Sequence, residues 1–277
     1  MSARAFDRWR LTLPLLLPSL GGLAYLYAFE APTRLIAVNV GALALAVVWV
    51  LFGRLPGGIT KHLVLAGLAA LALTLPVLIG PEVGGVSRWL PAGPVQIHSG
   101  ALLLPLITVQ AAREPKVGTI LLALAGAALL LQPDAASLLA LGLASIALAA
   151  VSRSIIYAVV GLAALGFAAA TFGAGTLEPQ MFTEGVLAQV WQSAPLLALA
   201  LGGLLFIVPA WLLMRNPDIP RAEGAALAAL LCGLGIAAVL APFPYPLIGY
   251  GAAPILGFGL ALGLRKAGHS ARNLPTF

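Results

Sequence analysis

The chain has 277 residues, of which 61% are hydrophobic and only 9% charged, and its mean hydropathy is +1.04. Soluble globular domains carry about 25% charged residues, so the composition excludes that class. The net charge of +6 does not indicate nucleic-acid binding, because the basic residues are scattered singly rather than clustered on one face. The single cysteine, Cys232, excludes a disulfide within the chain.

Apolar runs of about bilayer length repeat along the chain. A spanning helix needs roughly 20 mostly apolar residues, and backbone polar groups in lipid require helices or a closed barrel. The runs are rich in Leu, Ala and Gly and do not alternate, which favours helices. We predict ten spans, at residues 11–29, 35–52, 62–80, 99–111, 117–131, 135–151, 154–172, 194–214, 223–241 and 246–264.

Two of these spans have unusual features, and the first follows a basic N-terminus. The fourth and fifth are short, and Pro105 lies inside the fourth. Short or interrupted spans often line a cavity rather than face lipid. No small-residue cleavage site follows the first apolar run, so we expect it to remain as an uncleaved span.

Basic residues separate between the two sides of the ten-span arrangement. Cytoplasmic loops of membrane proteins are enriched in Lys and Arg. Only Arg34 and Arg88 fall on one side. Thirteen fall on the other side: Arg4, Arg8, Arg10, Arg54, Lys61, Arg113, Lys116, Arg153, Arg215, Arg221, Arg265, Lys266 and Arg272. The sequence therefore predicts one all-α, multi-pass membrane domain over residues 1–277, with both termini in the cytoplasm.

The outer side holds the features that suggest chemistry. It receives the two longest loops, at residues 80–99 and 173–193, and loops of this length between packed elements are often functional. It also receives His98 and five acidic residues, Glu30, Glu82, Asp134, Glu178 and Glu184.

The first long loop contains Arg88 beside Trp89, within the stretch from Gly85 to Gly93. One interpretation is ordinary: Trp belongs to the aromatic belt at the membrane surface, and Arg extends its charge into water. The other is functional, because an outward-facing Arg opposes the positive-inside trend and is suited to bidentate binding of phosphate.

Acidic residues stand at two further places on this side. Asp134, in Gln132-Pro133-Asp134, lies just before the sixth span and is placed to cap its N-terminus, a role that is compatible with a functional one. Glu184 and Glu178 lie in a loop without basic residues. If such an unpaired carboxylate is buried against the helix bundle, it indicates a functional residue. If it is exposed, it is an ordinary solvated charge of the loop, and the sequence leaves both interpretations open.

The last outer turn carries Pro242, Pro244 and Pro246, followed by Gly249 and Gly251 on either side of Tyr250. Alternate prolines hold an extended backbone, and the glycines permit a tight turn or close helix packing. Taken alone, this segment indicates a structural connection into the tenth span.

Together, these segments resemble the SEDS family (shape, elongation, division and sporulation), which includes FtsW, RodA and SpoVE. Residues 85–93 match its Gly-x-x-Arg-Trp-Ile-x-x-Gly motif, 132–134 its Gln-Pro-Asp, 183–185 echo its Thr-Asp-Phe, and 246–251 echo its Pro-Phe-x-Ser-Tyr-Gly-Gly. The order of the motifs and the ten-span topology also agree. Two departures stand out. Ala101 replaces the acid of the family's Gln-Pro-Ser-Glu stretch, and Glu184 stands where the family has Asp.

The resemblance implies a peptidoglycan glycosyltransferase that polymerises lipid II, or another undecaprenyl diphosphate-linked sugar, at the outer face of the bacterial cytoplasmic membrane. It implies Glu184 as the catalytic base, Arg88 as the contact to the diphosphate, and Trp89 as a residue that packs the sugar or holds the loop. Asp134 would order its loop or help to hold a divalent cation that bridges the diphosphate. A class B transpeptidase is the implied protein partner, acting in cell shape or division.

Two other functions remain open from the sequence. A transporter of a polyprenyl-linked sugar would use a similar bundle, and Ala101 together with Glu184 is the feature that favours it. A catalytically silent scaffold for a cell-division or elongation partner would leave the outer acids unconstrained.

Overall fold

The computed structural model describes residues 8–53, 58–93, 95–175 and 179–264. A short 3₁₀ turn (Trp9–Leu11) precedes the helices. The first half of the chain forms α1 (Leu13–Ala28), α2 (Thr33–Phe52), α3 (Ile59–Ala72), α4 (Leu75–Ile79), strands β1 (Trp89–Ala92) and β2 (Val95–His98), α5 (Ser99–Arg113) and α6 (Pro115–Leu131). The second half forms α7 (Ala135–Ser152), α8 (Ile155–Thr171), α9 (Val186–Ser193), α10 (Pro195–Gly202), a π-helical turn (Gly203–Ile207), α11 (Val208–Arg215), α12 (Arg221–Leu240) and α13 (Ala252–Gly263).

The helices confirm the predicted all-α, multi-pass membrane bundle. Five described helical segments are long and apolar enough to cross a membrane: Thr33–Phe52, Thr60–Ile79, Ala135–Ser152, Pro195–Arg215 and Arg221–Leu240. The second of these combines α3 with α4, and the fourth combines α10, the π-helical turn and α11. Four shorter apolar helices are Leu13–Ala28, Pro115–Leu131, Ile155–Thr171 and Ala252–Gly263. With α5, these segments correspond one to one with the ten spans expected from the sequence.

A buried arginine shows that the start and the end of the described chain reach the same surface. Arg8 donates to the carbonyl of Gly53 (3.0 Å) and to that of Gly263 (2.8 Å). The beginning of α1 and the ends of α2 and α13 therefore meet, as an even number of spans requires. Arg10 and Arg113 lie at this surface too, and the positive-inside rule assigns it to the cytoplasm.

Helix α7 lies at the centre of the bundle and packs against α8 and α12. Small residues permit this close approach, because a Cβ on Gly233 of α12 would lie 2.5 Å from the Cα of Ala140. Without a hydrophobic driving force between helices in lipid, such van der Waals contact at small residues is a main source of association. Helix α13 packs against α2 and α5 and closes the bundle.

Several details differ from the sequence-based expectation. The helix of the tenth span, α13, begins at Ala252 rather than near residue 246. Positive φ values at Leu247 (64°) and Gly251 (153°) interrupt helical geometry before it. Pro105 does not break α5, which is continuous from Ser99 to Arg113. The loops at 80–99 and 173–193 contain a β-hairpin and helix α9, neither of which was predicted.

Candidate active site at the outer surface

The β-hairpin stands on the surface opposite Arg8 and Gly263, which we call the outer surface. Its strands pair antiparallel, with Trp89 opposite His98 and Ala92 opposite Val95. The Trp89 ring meets the His98 ring edge-on, with 6.2 Å between centroids. The hairpin therefore orders the segment from Arg88 to His98, which the sequence suggested only as a long loop.

Arg88 lies at the base of this hairpin and is 2% exposed. One guanidinium nitrogen donates to the carbonyls of Pro133 and Ala174, and the guanidinium lies 5.5 Å from the centre of the Phe243 ring. The Nε atom has no hydrogen-bond partner. Arg88 thus contacts three outer segments through neutral groups, and no acidic side chain in the described part of the chain forms a direct ion pair with it.

Asp134 caps the sixth span, as predicted. Its Oδ1 accepts the backbone N–H of Ser137 (3.2 Å) at the start of α7, and the residue is fully buried. Its Oδ2 lies 3.4 Å from Nε2 of His98. His98 in turn caps α5, because its Nδ1 accepts the N–H of Ala101 (3.2 Å). In the neutral imidazole, an accepting Nδ1 places the proton on Nε2, the nitrogen that lies near Asp134, although the 3.4 Å separation does not meet hydrogen-bond geometry.

The surroundings of Asp134 do not fit a divalent cation. Its two oxygens face an amide N–H and the imidazole Nε2, and a Cβ on Gly100 would lie only 3.0 Å from Oδ2. Calcium and magnesium need several oxygen ligands around an open position. Among the described residues, no group of three His, Cys, Asp or Glu side chains is arranged to hold a metal ion.

Glu184 lies in a tight turn just before α9 and is half-buried. Its backbone N–H donates to the carbonyl of Gln180 (3.0 Å), and its carboxylate accepts the N–H of Gln180 (3.1 Å). Burial raises the pKa of Glu184 above its ordinary value, while the Gln180 N–H and the charge of Arg88 act in the opposite direction. A carboxyl with a raised pKa and a defined orientation is suited to general-base chemistry.

The charge of Arg88 interacts with the charges of two other predicted residues, Asp134 and Glu184. Burial lowers the pKa of Arg88, and the negative charges of Asp134 and Glu184 both oppose that shift. The charge of Arg88 therefore interacts with those of Asp134 and Glu184 at the outer surface, where the Trp89 ring meets the His98 ring edge-on. Glu178 lies outside the described residues.

The loop of Glu184 is tied to the segment before α13 by backbone hydrogen bonds. The backbone carbonyl of Thr183 accepts the N–H of Tyr245 (2.9 Å), and the backbone carbonyl of Phe182 accepts the N–H of Tyr250 (2.7 Å). The proline- and glycine-rich turn, which the sequence indicated as a mere connection, thus supports the candidate base.

Two residues that hold this region were missed in the sequence. Asn39 of α2 is 1% exposed and bonds to the backbone of Gly249 and Gly251. His98 was noted only as part of the outer surface. Asn39 had a detectable signal, because polar side chains inside apolar spans are costly and often functional. The position of the missing acid, Ala101, is buried at 8% exposure against α13, where a Cβ on Gly257 would lie 2.4 Å from the Ala101 carbonyl.

No protein-family model and no curated protein matches the chain. Solved structures do match its fold. The rod shape determining protein RodA of Thermus thermophilus, in wild-type and mutant forms, superposes with a TM-score of 0.66 at 20% identity, covering 92% of this chain and 94% of that one. A chain of a peptidoglycan synthase complex, described as coordinating polymerization and crosslinking, gives a TM-score of 0.63 at 21% identity, covering 92% and 96%. The predicted likeness to RodA is thereby confirmed at the level of the fold.

Proposed function

We propose that this RodA-like membrane protein is a divergent SEDS-type glycosyltransferase that polymerises lipid II at the outer face of the bacterial cytoplasmic membrane. One observation carries the proposal. Glu184 is half-buried, its pKa is raised by burial, and its carboxylate interacts with the positive charge of Arg88. A base and a fixed positive charge are what transfer from a diphosphate leaving group needs. The RodA-like fold supports the choice of reaction class.

In the proposed reaction, the Glu184 carboxylate removes the proton from an acceptor sugar hydroxyl. The hydroxyl oxygen attacks the anomeric carbon of the donor, and the bond from that carbon to the diphosphate oxygen breaks. The proton ends on Glu184, and undecaprenyl diphosphate leaves with both bonding electrons. Positive charge near the diphosphate stabilises the negative charge that grows there.

Arg88 is the proposed source of that positive charge. Because Arg88 is 2% exposed, it acts through its field in this conformation, and direct bidentate contact would require its bonds to Pro133 and Ala174 to be exchanged for bonds to the diphosphate. Trp89 is half-buried on the hairpin and is proposed to hold the hairpin or pack a sugar. Asp134 orders the turn that supplies the Pro133 carbonyl to Arg88.

A transpeptidase partner is part of the proposal. The synthase complex with a similar fold is described as coordinating polymerization with crosslinking, and a glycan polymerase without crosslinking activity would need such a partner. Purified protein should therefore be assayed both alone and with a class B transpeptidase.

The decisive experiment measures glycan product from labelled lipid II. Glu184→Gln keeps size and hydrogen bonding but loses the base, so we expect about a 10²–10⁴-fold lower rate. Glu82→Gln is the matched control, because Glu82 is an exposed acid on the same side and should be dispensable. Arg88→Lys should reduce the rate less than Arg88→Ala, since charge survives but the planar fork is lost. Normal polymer from Glu184→Gln would reject the base assignment.

A catalytically silent scaffold is the second candidate. The bonds of Arg88 to Pro133 and Ala174 favour it, because they give the residue a purely structural task. The absence of polymer from the wild-type protein under every partner condition, with retained binding of a transpeptidase, would support the scaffold over the enzyme.

A further inference from the structure

Asn39 is a buried amide within helix α2, which is otherwise apolar after Arg34. Its Nδ2 donates to the carbonyl of Gly249 (3.0 Å), and its Oδ1 accepts the N–H of Gly251 (3.1 Å). The partners lie 210 and 212 residues further along the chain, on either side of Tyr250. One side chain therefore satisfies a backbone acceptor and a backbone donor of a turn whose Gly251 has a φ of 153°.

The turn that Asn39 holds is the same turn that supports the Glu184 loop. Tyr250, between the two bonded glycines, donates its N–H to Phe182, and Tyr245 donates to Thr183. A Cβ on Gly249 would lie 2.9 Å from the Thr183 carbonyl, so the two backbones are in close contact. A shift of the turn must therefore move Phe182 and Thr183, the residues immediately before Glu184.

The far side of the loop has a separate anchor. Tyr25 of α1 donates its hydroxyl to Oε1 of Gln189 in α9 (2.8 Å), and its ring lies 6.3 Å from that of Phe182. Glu184 stands between this anchor and the turn held by Asn39. Loss of the Asn39 contacts would thus release one side of the loop while the other stays attached.

We propose that Asn39 is a positioning residue for Glu184, acting through the turn at residues 249–251 and the backbone pairs to Phe182 and Thr183. Asn39 is 1% exposed and has no access to a substrate, so its effect on the reaction is indirect. The catalytic part of this inference rests on the proposed function of Glu184. The structural part, that Asn39 fixes the conformation of the loop, does not.

The structural part is tested by a distance measurement that needs no activity. Spin labels at Tyr27→Cys and Met181→Cys, residues that are 80% and 68% exposed, report on the loop relative to α1 in a Cys232→Ala background. We expect one narrow distance distribution in the parent and a broader or shifted one in Asn39→Ala. Asn216→Ala is the matched control, since Asn216 also donates to a distant backbone carbonyl, that of Arg10, at the opposite surface. An unchanged distribution in Asn39→Ala would overturn the proposal.

Asn39→Asp provides a second variant in case the alanine variant does not fold. A protonated carboxylic acid has one donor and one acceptor and reproduces both contacts, whereas the carboxylate only accepts. We expect a narrow distribution at low pH that broadens reversibly as the pH rises, with no such change in the parent. A distribution that stays narrow at pH values where the introduced carboxyl is ionised, as followed by its infrared carbonyl band, would show that the donor bond to Gly249 does not hold the loop.

The catalytic part is tested by combining substitutions in the lipid II assay. A misplacement of about 1 Å can cost about 10²-fold in rate, so Asn39→Ala should lose that order of activity. In a Glu184→Gln background the same substitution should cause no further loss, because residues that act as a unit are not additive. A full additional loss would show that Asn39 does not act through Glu184. If the wild type forms no polymer, the proposed function fails, and the distance measurement still decides the positioning role.

Discussion

His98 and Asp134 join the beginnings of two helices at the outer surface. Nε2 of His98 lies 3.4 Å from Oδ2 of Asp134, while the other polar atom of each side chain caps its own helix, α5 or α7. The pair thus brings the N-termini of α5 and α7 together, next to Arg88, whose guanidinium bonds to the Pro133 carbonyl and whose own carbonyl accepts the N–H of Ser99. The positive ends of both helix dipoles favour the negative charge of Asp134.

The burial of His98 makes stability depend on pH. Burial is the largest influence on the pKa of His98 and lowers it; Arg88 lowers it further, and Asp134 opposes the shift. The unfolded chain therefore binds a proton at higher pH than the folded protein, so stability falls as the pH drops below the ordinary histidine value. We expect the unfolding temperature in detergent to fall between pH 7 and pH 5.

His98→Asn isolates this effect, because asparagine is a good N-cap but does not titrate. The variant should have a weaker pH dependence than the wild type over the same interval. Identical pH dependence in the two proteins would show that another group causes the change.

Gly22 of α1 lies directly against the turn before α13. A Cβ at this position would lie 2.6 to 2.8 Å from the carbonyl oxygen, Cα and carbonyl carbon of Ile248, and backbone atoms cannot yield as a flexible side chain can. Gly22→Ala should therefore destabilise the protein by about 1–3 kcal/mol, as overpacking commonly does.

The matched substitution is Gly41→Ala in α2, where a Cβ would meet nothing within 4 Å. It should leave stability unchanged or raise it by about 0.5–1 kcal/mol, because alanine is the better helix former. Thermal unfolding of both variants in the same detergent checks the prediction. Equal effects would mean that the turn adapts to the larger side chain.

The ten spans could be predicted from the sequence because hydropathy and the distribution of Lys and Arg both report the bilayer directly. The late start of α13 could not, because it depends on the backbone angles of Leu247 and Gly251 rather than on hydropathy. The β-hairpin was also missed, since its strands of four residues are too short for a pattern of alternation.

The candidate site was predicted only in part. The cap by Asp134 could be expected from its position before a helix, because that contact is local. The burial of Arg88, its bond to the Ala174 carbonyl, and the bonds from Asn39 to residues 210 and 212 positions away are products of tertiary packing. A lone asparagine in an apolar span was a signal, but its partner could not be identified without the fold.

An ion pair joins α5 to α12 at the cytoplasmic surface. Nε of Arg113 donates to Oε1 of Glu223 (3.1 Å), and a second guanidinium nitrogen donates to Oε2 (3.1 Å). The Glu223 side chain is 7% exposed and that of Arg113 is 22% exposed. Removing the arginine leaves a buried carboxylate, whereas removing the glutamate leaves a cation that can reach water.

We therefore expect Arg113→Ala to destabilise more than Glu223→Ala. Breaking a buried pair costs about 3–5 kcal/mol, and partial exposure here reduces the expected loss to about 1–3 kcal/mol. Unfolding of the two single variants and the double variant gives the coupling energy of the pair. Additive losses would indicate that the two residues do not interact appreciably.

Reporter fusions test the orientation of the bundle. The excess of basic residues at the surface of Arg8 and Arg113 predicts a cytoplasmic C-terminus and an outer loop at 173–193. A reporter fused after Phe277 and one inserted into that loop should give opposite locations. The same location for both would require an even number of spans between the loop and the C-terminus and contradict the three that the structure places there.

The pH profile of glycan synthesis tests the link between Arg88 and Glu184. A general base works only when deprotonated, so activity should fall on the acid side by about tenfold per pH unit below the pKa of Glu184. Because burial raises that pKa, the fall should begin at higher pH than for an ordinary glutamate. Arg88 lowers the same pKa through its charge, so Arg88→Ala should move the acid limb to still higher pH, and Arg88→Lys should move it less. The rate measured at saturating lipid II across the pH range gives the position of the limb independently of substrate binding. An acid limb that stays in place when the charge of Arg88 is removed would show that the two residues do not share one site.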